Sequence, residues 1–106
     1  MILSVEFDNY IIYHEEEPGL DEKVKINCFM GDHTVGYLTF TVGDVPPPER
    51  LHTGAINAFF PYERFHEIIT TIRYEKPLYL SIYGHKTVIS TVHEPVGEQE
   101  GVPSPD

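Results

Sequence analysis

The segment from Pro61 to His93 constrains the fold more than any other part of the chain, because a helix signature in it leads directly into a hairpin signature. Large apolar residues recur in its first half at the spacing i, i+3, i+4 and i+7, which forms one apolar stripe on an α-helix. They are Phe65, Ile68, Ile69 and Ile72. Tyr62 extends this stripe toward the N-terminus. Pro61 suits a first helical turn, and Pro77 stops the helix. We therefore predict a helix over about residues 62–74.

The second half of the segment alternates apolar and more polar residues, which is typical of a half-buried strand. Leu78, Leu80 and Ile82 share one face of this strand. Gly84-His85 then forms a two-residue turn with glycine first, as a type II′ hairpin requires. This turn predicts that Tyr83 pairs with Lys86 and that Leu80 pairs with Ile89.

The N-terminal residues predict a second hairpin. Ile2–Phe7 alternates like a strand, Asp8-Asn9 has good turn chemistry, and Tyr10–His14 forms the return strand. A two-residue loop would pair Phe7 with Tyr10 and Val5 with Ile12, so that large residues share one face.

A third hairpin is predicted from the alternation in Lys23–Met30 and Thr34–Val42. A three-residue loop, Gly31 to His33, places Val24, Ile26 and Cys28 beside Phe40, Leu38 and Gly36, and a shift by one residue would scatter these residues over both faces. Cys28 then faces the core. A thiol buried among apolar groups is a poor nucleophile, so Cys28 is not predicted to be catalytic.

These elements predict an α+β fold with an antiparallel sheet of six or seven strands and one helix packed on it, in the order β-β-β-β-(β)-α-β-β. The proline-rich stretch 44–53 is a stiff connector, and Ala55–Phe60 forms an optional short strand. Residues 1–93 form a single domain. Residues 94–106 form an acidic, proline-containing tail that frays.

The net charge of −10 is concentrated in the terminal parts of the chain. Residues 1–22 contain seven acids and 94–106 contain four, with no Lys or Arg in either range. One cluster of acids lies between the second and third predicted strands. It consists of Glu15, Glu16, Glu17, Asp21 and Glu22. Such a surface repels nucleic acid and steers basic partners, although acidic side chains also serve solubility alone.

Catalytic signatures are absent from the sequence. The six histidines lack the spacing of a zinc site, and the acids at 15–17 lack the spaced oxygens and glycine of a calcium loop. Glu63 and Glu67 lie one helical turn apart beside Arg64 but face solvent. We therefore predict a non-enzymatic protein without metal or cofactor. A metal-dependent hydrolase built from converging histidines is the least favoured alternative.

A set of aromatic residues falls on the strand faces opposite the predicted core. It consists of Tyr13, Phe29, Tyr37, Tyr79 and Tyr83. Exposed aromatic residues in such numbers indicate an interaction face, whereas in a structure with both faces covered they would pack internally.

The remaining sequence features concern location. No apolar run is long enough to span a membrane, and the N-terminus does not resemble a signal peptide. A single cysteine cannot form an internal disulfide, which suits a reducing compartment. We therefore expect a cytoplasmic protein.

The runs RYEKPLY at 73–79 and EPVGE at 94–98 resemble a group of small, uncharacterised bacterial proteins. In that group a helix leads into EKP, a strand pair and EPVGE, and some members are similar in size and acidity to immunity proteins of toxin systems. The resemblance covers about a third of the chain and carries no functional residues. It favours an acidic, immunity-type or antitoxin-like inhibitor of a basic, toxin-like partner. The alternative is a homo-oligomeric structural or regulatory protein, in the simplest case a homodimer.

Overall fold

The computed structural model describes residues 2–76 and 78–91 and confirms an α+β fold. The strands are β1 Ile2–Phe7, β2 Asn9–His14, β3 Glu22–Met30, β4 His33–Thr41, β5 Glu49–Arg50, β6 Ile56–Pro61, β7 Leu78–Tyr83 and β8 Lys86–Thr91. A 3₁₀ turn over Tyr62–Arg64 precedes the helix α1, Phe65–Tyr74. The predicted helix stop at Pro77 and the predicted tail 94–106 lie outside the described residues.

The strands divide between two sheets rather than forming the one curved sheet that was expected. One sheet has three strands in the order β1-β7-β8, and the other has five in the order β2-β3-β4-β6-β5. All neighbouring strands are antiparallel except β4 and β6, which run parallel. The optional strand near residues 55–60 is therefore a full member of the larger sheet.

The predicted hairpin between β1 and β2 is wrong. β1 pairs with β7, so that Phe7 lies opposite Leu78, whereas β2 pairs with β3. The chain crosses from one sheet to the other at Asp8. This corner is held against the β3–β4 turn, because the Asp8 carboxylate accepts the backbone N–H of Gly31 and the side-chain amide of Asn9 donates to the Gly31 carbonyl. The side chains of Asp8 and Asn9 thus stabilise a corner between the two sheets instead of a hairpin turn.

The hairpin of β3 and β4 has the predicted core register but a shorter turn. Cys28 lies opposite Gly36, and Ile26 lies opposite Leu38. Met30 pairs with His33 rather than with Thr34, and a register shift between Cys28 and Phe29 restores the predicted pairing. The turn is therefore one residue shorter than predicted, and a β-bulge in the hairpin accommodates the extra residue.

The hairpin of β7 and β8 matches the prediction. Tyr83 pairs with Lys86 and Leu80 pairs with Ile89, which leaves Gly84-His85 as the turn. Gly84 has a φ of 64°, a left-handed conformation that is accessible to glycine without steric cost.

The helix begins three residues later than predicted. Phe65, Ile68, Ile69 and Ile72 are buried as expected, but Tyr62 is 43% exposed and does not extend the stripe. It lies in the 3₁₀ turn, whose three-residue period places its side chains differently from those of an α-helix. A ten-residue helix is marginal in water, so the burial of this stripe, at roughly 1.5–3 kcal/mol per side chain, stabilises α1.

Both sheets and α1 contribute to one hydrophobic core. Phe40 stacks on Phe60 and meets Phe65 edge to face, with ring centroids 5.5 and 5.3 Å apart. The three-stranded sheet packs closely against the larger one at Gly36, where an added Cβ would lie 2.7 Å from Cδ2 of Leu80. Glycine at this position therefore makes room for a fully buried leucine of the other sheet.

Candidate functional site

The five aromatic residues predicted to form an interaction face lie on two different sheets. Tyr79 and Tyr83 belong to β7, whereas Tyr13, Phe29 and Tyr37 belong to β2, β3 and β4. The two sheets turn their other faces toward one core, so their outer faces point away from each other. The structure therefore separates the predicted set into a pair and a group of three.

The group of three belongs to a larger apolar surface on the five-stranded sheet, which we call the outer face. It comprises Ile11, Tyr13, Phe29, Tyr37 and Phe59. The strand register places Ile11, Asn27 and Tyr37 in one row across the sheet. The adjacent row runs from Tyr13 through Lys25 and Thr39 to Phe59. The first row continues from Tyr37 to Asn57 and Glu49, so it ends in polar side chains on that side of the sheet. The middle of the second row is also polar, and Thr39 there is buried. The large exposed side chains therefore lie at the β2 end of both rows.

Exposure along the outer face is greatest on β2. Ile11 is 47% exposed and Tyr13 is 46% exposed, whereas Phe29, Tyr37 and Phe59 are half-buried. Sequence patterning did not single out Ile11 or Phe59. Ile11 is flanked by apolar Tyr10 and Ile12, so a period of two does not reveal which face it occupies. Phe59 becomes part of the surface only because β6 pairs with β4.

The outer face of the three-stranded sheet is more polar. Ser4 and Ser81 lie between its two tyrosines, and their hydroxyls hydrogen-bond to each other at 2.8 Å. Tyr79 is half-buried beside Glu6, and Tyr83 is 45% exposed at the end of β7. Its large apolar or aromatic side chains, among those that the structure describes, are Tyr79, Tyr83 and Val88, fewer than on the outer face of the larger sheet.

The predicted acidic cluster lies on the chain segment that joins β2 to β3 and on the first residue of β3, and we call residues 15–22 the acidic loop. The backbone N–H of Glu15 donates to the Lys23 carbonyl at 2.9 Å, and the backbone N–H of Val42 donates to the Asp21 carbonyl at 3.0 Å. These bonds hold both ends of the loop against the sheet. Since Glu15 follows Tyr13 by two residues, the acidic loop borders the most exposed end of the outer face.

The loop carboxylates are mostly solvated. Glu16, Glu17 and Asp21 are exposed, whereas Glu15 and Glu22 are half-buried. Exposed charges act over roughly one Debye length, about 8 Å at physiological salt, so the loop can attract a basic partner to the neighbouring outer face.

The described residues bring no catalytic constellation together. Among residues 2–76 and 78–91, no group of three or more His, Cys, Asp and Glu side chains could hold a metal ion. His14, His33, His52, His66 and His85 are exposed on separate elements, and His93 lies outside the described residues. A cleft of about 270 Å³ between α1 and β8 contains Arg64 and Glu67, which form an ion pair with each other.

Cys28 occupies the core position that its strand pattern predicts. Its side chain is fully buried, and loss of solvation raises the pKa of the thiol to about 12. The nucleophilic thiolate is therefore scarce at neutral pH.

Comparisons with protein-family models, curated proteins and solved structures find no match to this chain. Within the part of the chain that the structure describes, α1 is far too short to cross a membrane, and no other helix has the required length and apolarity.

Proposed function

We propose that this chain is a non-enzymatic, acidic protein-binding module whose outer face contacts a basic protein. The observation that carries the proposal is the pair Ile11 and Tyr13 on β2, which are 47% and 46% exposed. Half-buried Phe29, Tyr37 and Phe59 lie on the same face of the sheet. Surfaces of this composition, rimmed by polar groups, are typical of protein interfaces.

Charge indicates the kind of partner. The acidic loop lies beside the outer face, and the chain as a whole carries a net charge of −10. A partner with apolar groups next to basic ones would match both the exposed pair on β2 and the acidic loop beside it. The most concrete form of this function is an immunity-type or antitoxin-like inhibitor of a toxin-like protein, which the resemblance at 73–79 and 94–98 also favours. A single, buried cysteine suits a reducing compartment such as the cytoplasm.

Self-association through the same surface is a second candidate function. The charged side chains that the register places in these two rows are Lys25 and Glu49, which are opposite in sign, so two copies could bring these faces together without strong repulsion. Light scattering separates the two functions. A monomer at high protein concentration would contradict the homodimer and leave the basic partner as the better account.

Affinity capture tests the basic partner directly. Tagged protein is incubated with a lysate of the organism that encodes it, once at low salt and once at about 1 M salt, where the Debye length falls to about 3 Å. We expect a basic protein to be retained at low salt and largely lost at high salt. Failure to retain any basic protein, or a complex that is insensitive to salt, would contradict the proposal.

A further inference from the structure

The outer edge of β2 carries peptide groups that no described residue engages. β2 is the first strand of the five-stranded sheet, and among the described strands it pairs with β3 alone. The bond from Glu15 N–H to the Lys23 carbonyl joins two residues that lie directly opposite each other. In an antiparallel pair, such hydrogen-bonded residues alternate with residues whose backbone groups point the other way. Counted back from Glu15, the backbone groups of Tyr10, Ile12 and His14 therefore point away from β3.

The composition of β2 differs from that of the other strands at sheet edges. Natural edge strands commonly carry charges, prolines or bulges that prevent pairing with another chain. β1 contains Glu6, β8 contains Lys86, and β5 consists of Glu49 and Arg50. By contrast, β2 reads NYIIYH and contains no Asp, Glu, Lys, Arg or proline, and its pairing with β3 is continuous. This edge thus lacks the features that block an added strand.

Acidic groups lie at both ends of this neutral strand. Asp8 and Asp32 lie near its start, where the Asp8 carboxylate accepts the Gly31 N–H at 3.2 Å, and Glu15, Glu16 and Glu17 follow its end. A second copy of β2 would bring its own acids next to these in either orientation, and adjacent like charges are destabilising. A segment with basic residues at both ends would instead place opposite charges together.

We propose that the outer edge of β2 binds an extended segment of the basic partner as an added strand of the sheet. The segment carries apolar residues at alternate positions, where they extend the surface of Ile11 and Tyr13, and Lys or Arg at both ends. The inference rests on the proposed function, since it names the part of the partner that the chain binds.

Synthetic peptides provide the probe for this edge. The peptide RKTVTVTVKR combines an alternating apolar centre with basic ends. EDTVTVTVDE reverses the charge of the ends, and RKTVPVTVKR keeps the charge but introduces a proline that cannot pair fully. We expect the first peptide to bind at least about tenfold more tightly than the other two, as measured by titration calorimetry.

Hydrogen exchange observed by NMR locates the bound peptide. In the free protein, the amides of Ile11 and Tyr13 should exchange slowly, because they bond to β3, whereas those of Tyr10, Ile12 and His14 should exchange quickly. Binding of RKTVTVTVKR should slow exchange of the latter three amides.

Two variants serve as a matched pair, because Ile11 and Tyr83 are 47% and 45% exposed on different sheets. Ile11→Lys should weaken peptide binding about tenfold, and Tyr83→Lys should change it less than about twofold.

Several results would overturn this inference. Binding of a basic peptide without protection of the Tyr10, Ile12 and His14 amides would exclude edge pairing while leaving the proposed function intact. Equal binding of the proline peptide, or no binding of any peptide, would also contradict pairing at the β2 edge. Capture from lysate tests the proposed function separately. Protection of the three amides without peptide would identify a second copy if it rises with protein concentration, and another segment of this chain if it does not.

Discussion

At the scale of single residues, two ionisable groups have defined places in the fold. Cys28 lies in the core and Asp8 lies at the corner between the two sheets. The strand pattern predicted the position of Cys28, because alternation reports directly on which side of a strand faces the core. The role of Asp8 was not predictable, since its hydrogen bond to Gly31 joins residues that are 23 positions apart.

The buried thiol of Cys28 should make stability depend on alkaline pH. Its pKa is raised from 9.0 to about 12 in the folded protein, so the unfolded chain loses this proton first as pH rises. The stabilisation is fully present below about pH 9 and declines up to about pH 12, at about 1.4 kcal/mol per pH unit. We expect urea denaturation to show a steeper loss of stability across this window for the wild type than for Cys28→Ala. Equal slopes would contradict the burial of an ionisable thiol.

The carboxylate of Asp8 should contribute stability that is lost in acid. Hydrogen bonds from the Asn9 side chain and the Gly31 backbone hold its pKa below the ordinary value of 3.8. A lowered folded pKa means that the contribution is present above pH 3.8 and disappears as pH falls through the lowered value. Asp8→Ala should therefore reduce the urea midpoint at neutral pH, and the difference from wild type should shrink in acid.

Asp32→Ala is the matched control for Asp8. Asp32 is an exposed acid in the neighbouring turn, and its carboxylate makes no hydrogen bond to a residue that the structure describes. Its substitution should leave the urea midpoint nearly unchanged. A loss of stability as large as that of Asp8→Ala would indicate general electrostatics rather than the hydrogen bonds at the corner.

At the scale of secondary-structure elements, patterning predicted which residues face the core better than it predicted which strands pair. The helix stripe and the core registers of β3–β4 and β7–β8 were correct, because helix and strand periods and short turns are local properties. The pairing of β1 with β7 joins Phe7 to Leu78, far apart in the chain, and the parallel pairing of β4 with β6 requires a crossover. Local alternation contains no information about either choice.

The same limit applies to the candidate site. Alternation correctly placed Tyr13, Phe29 and Tyr37 opposite the core, and it placed Tyr79 and Tyr83 there too. Only the division of the strands into two sheets shows that these are separate surfaces.

The close contact between the sheets leaves little room for a side chain at position 36. Alanine there would place Cβ 2.7 Å from Cδ2 of the fully buried Leu80. Overpacking of this kind costs about 1–3 kcal/mol, which exceeds the gain of about 0.4–1 kcal/mol from a less flexible unfolded chain. Gly36→Ala should therefore destabilise the protein by about 1–2 kcal/mol in urea denaturation.

A double-mutant cycle with Leu80→Ala isolates this contact. Leu80→Ala alone should cost about 2–5 kcal/mol, because it leaves a cavity. The double variant should cost at least about 0.5 kcal/mol less than the sum of the two single variants, since the new methyl group occupies part of that cavity. Additive effects would show that Gly36 and Leu80 do not constrain each other across the sheets.

At the scale of the whole molecule, the proposed binding function depends on three neighbouring features. The outer face of the five-stranded sheet offers apolar contact, the acidic loop borders it, and the outer edge of β2, which no described strand covers, lies between them. The three features meet at one side of the sheet, whereas the outer face of the smaller sheet is richer in serine. These features come together only in the folded chain, so no single sequence motif predicts their arrangement.

The most direct measurement compares the affinity of the captured basic partner for two matched double variants. Ile11→Ser with Tyr13→Ser alters the outer face of the five-stranded sheet, and Tyr79→Ser with Tyr83→Ser alters the opposite side of the molecule. Circular dichroism and urea denaturation first establish that both variants fold. We predict that the first variant loses at least about tenfold in affinity and the second less than about twofold. Equal losses, or a greater loss in the Tyr79 and Tyr83 variant, would contradict the assignment of the binding surface.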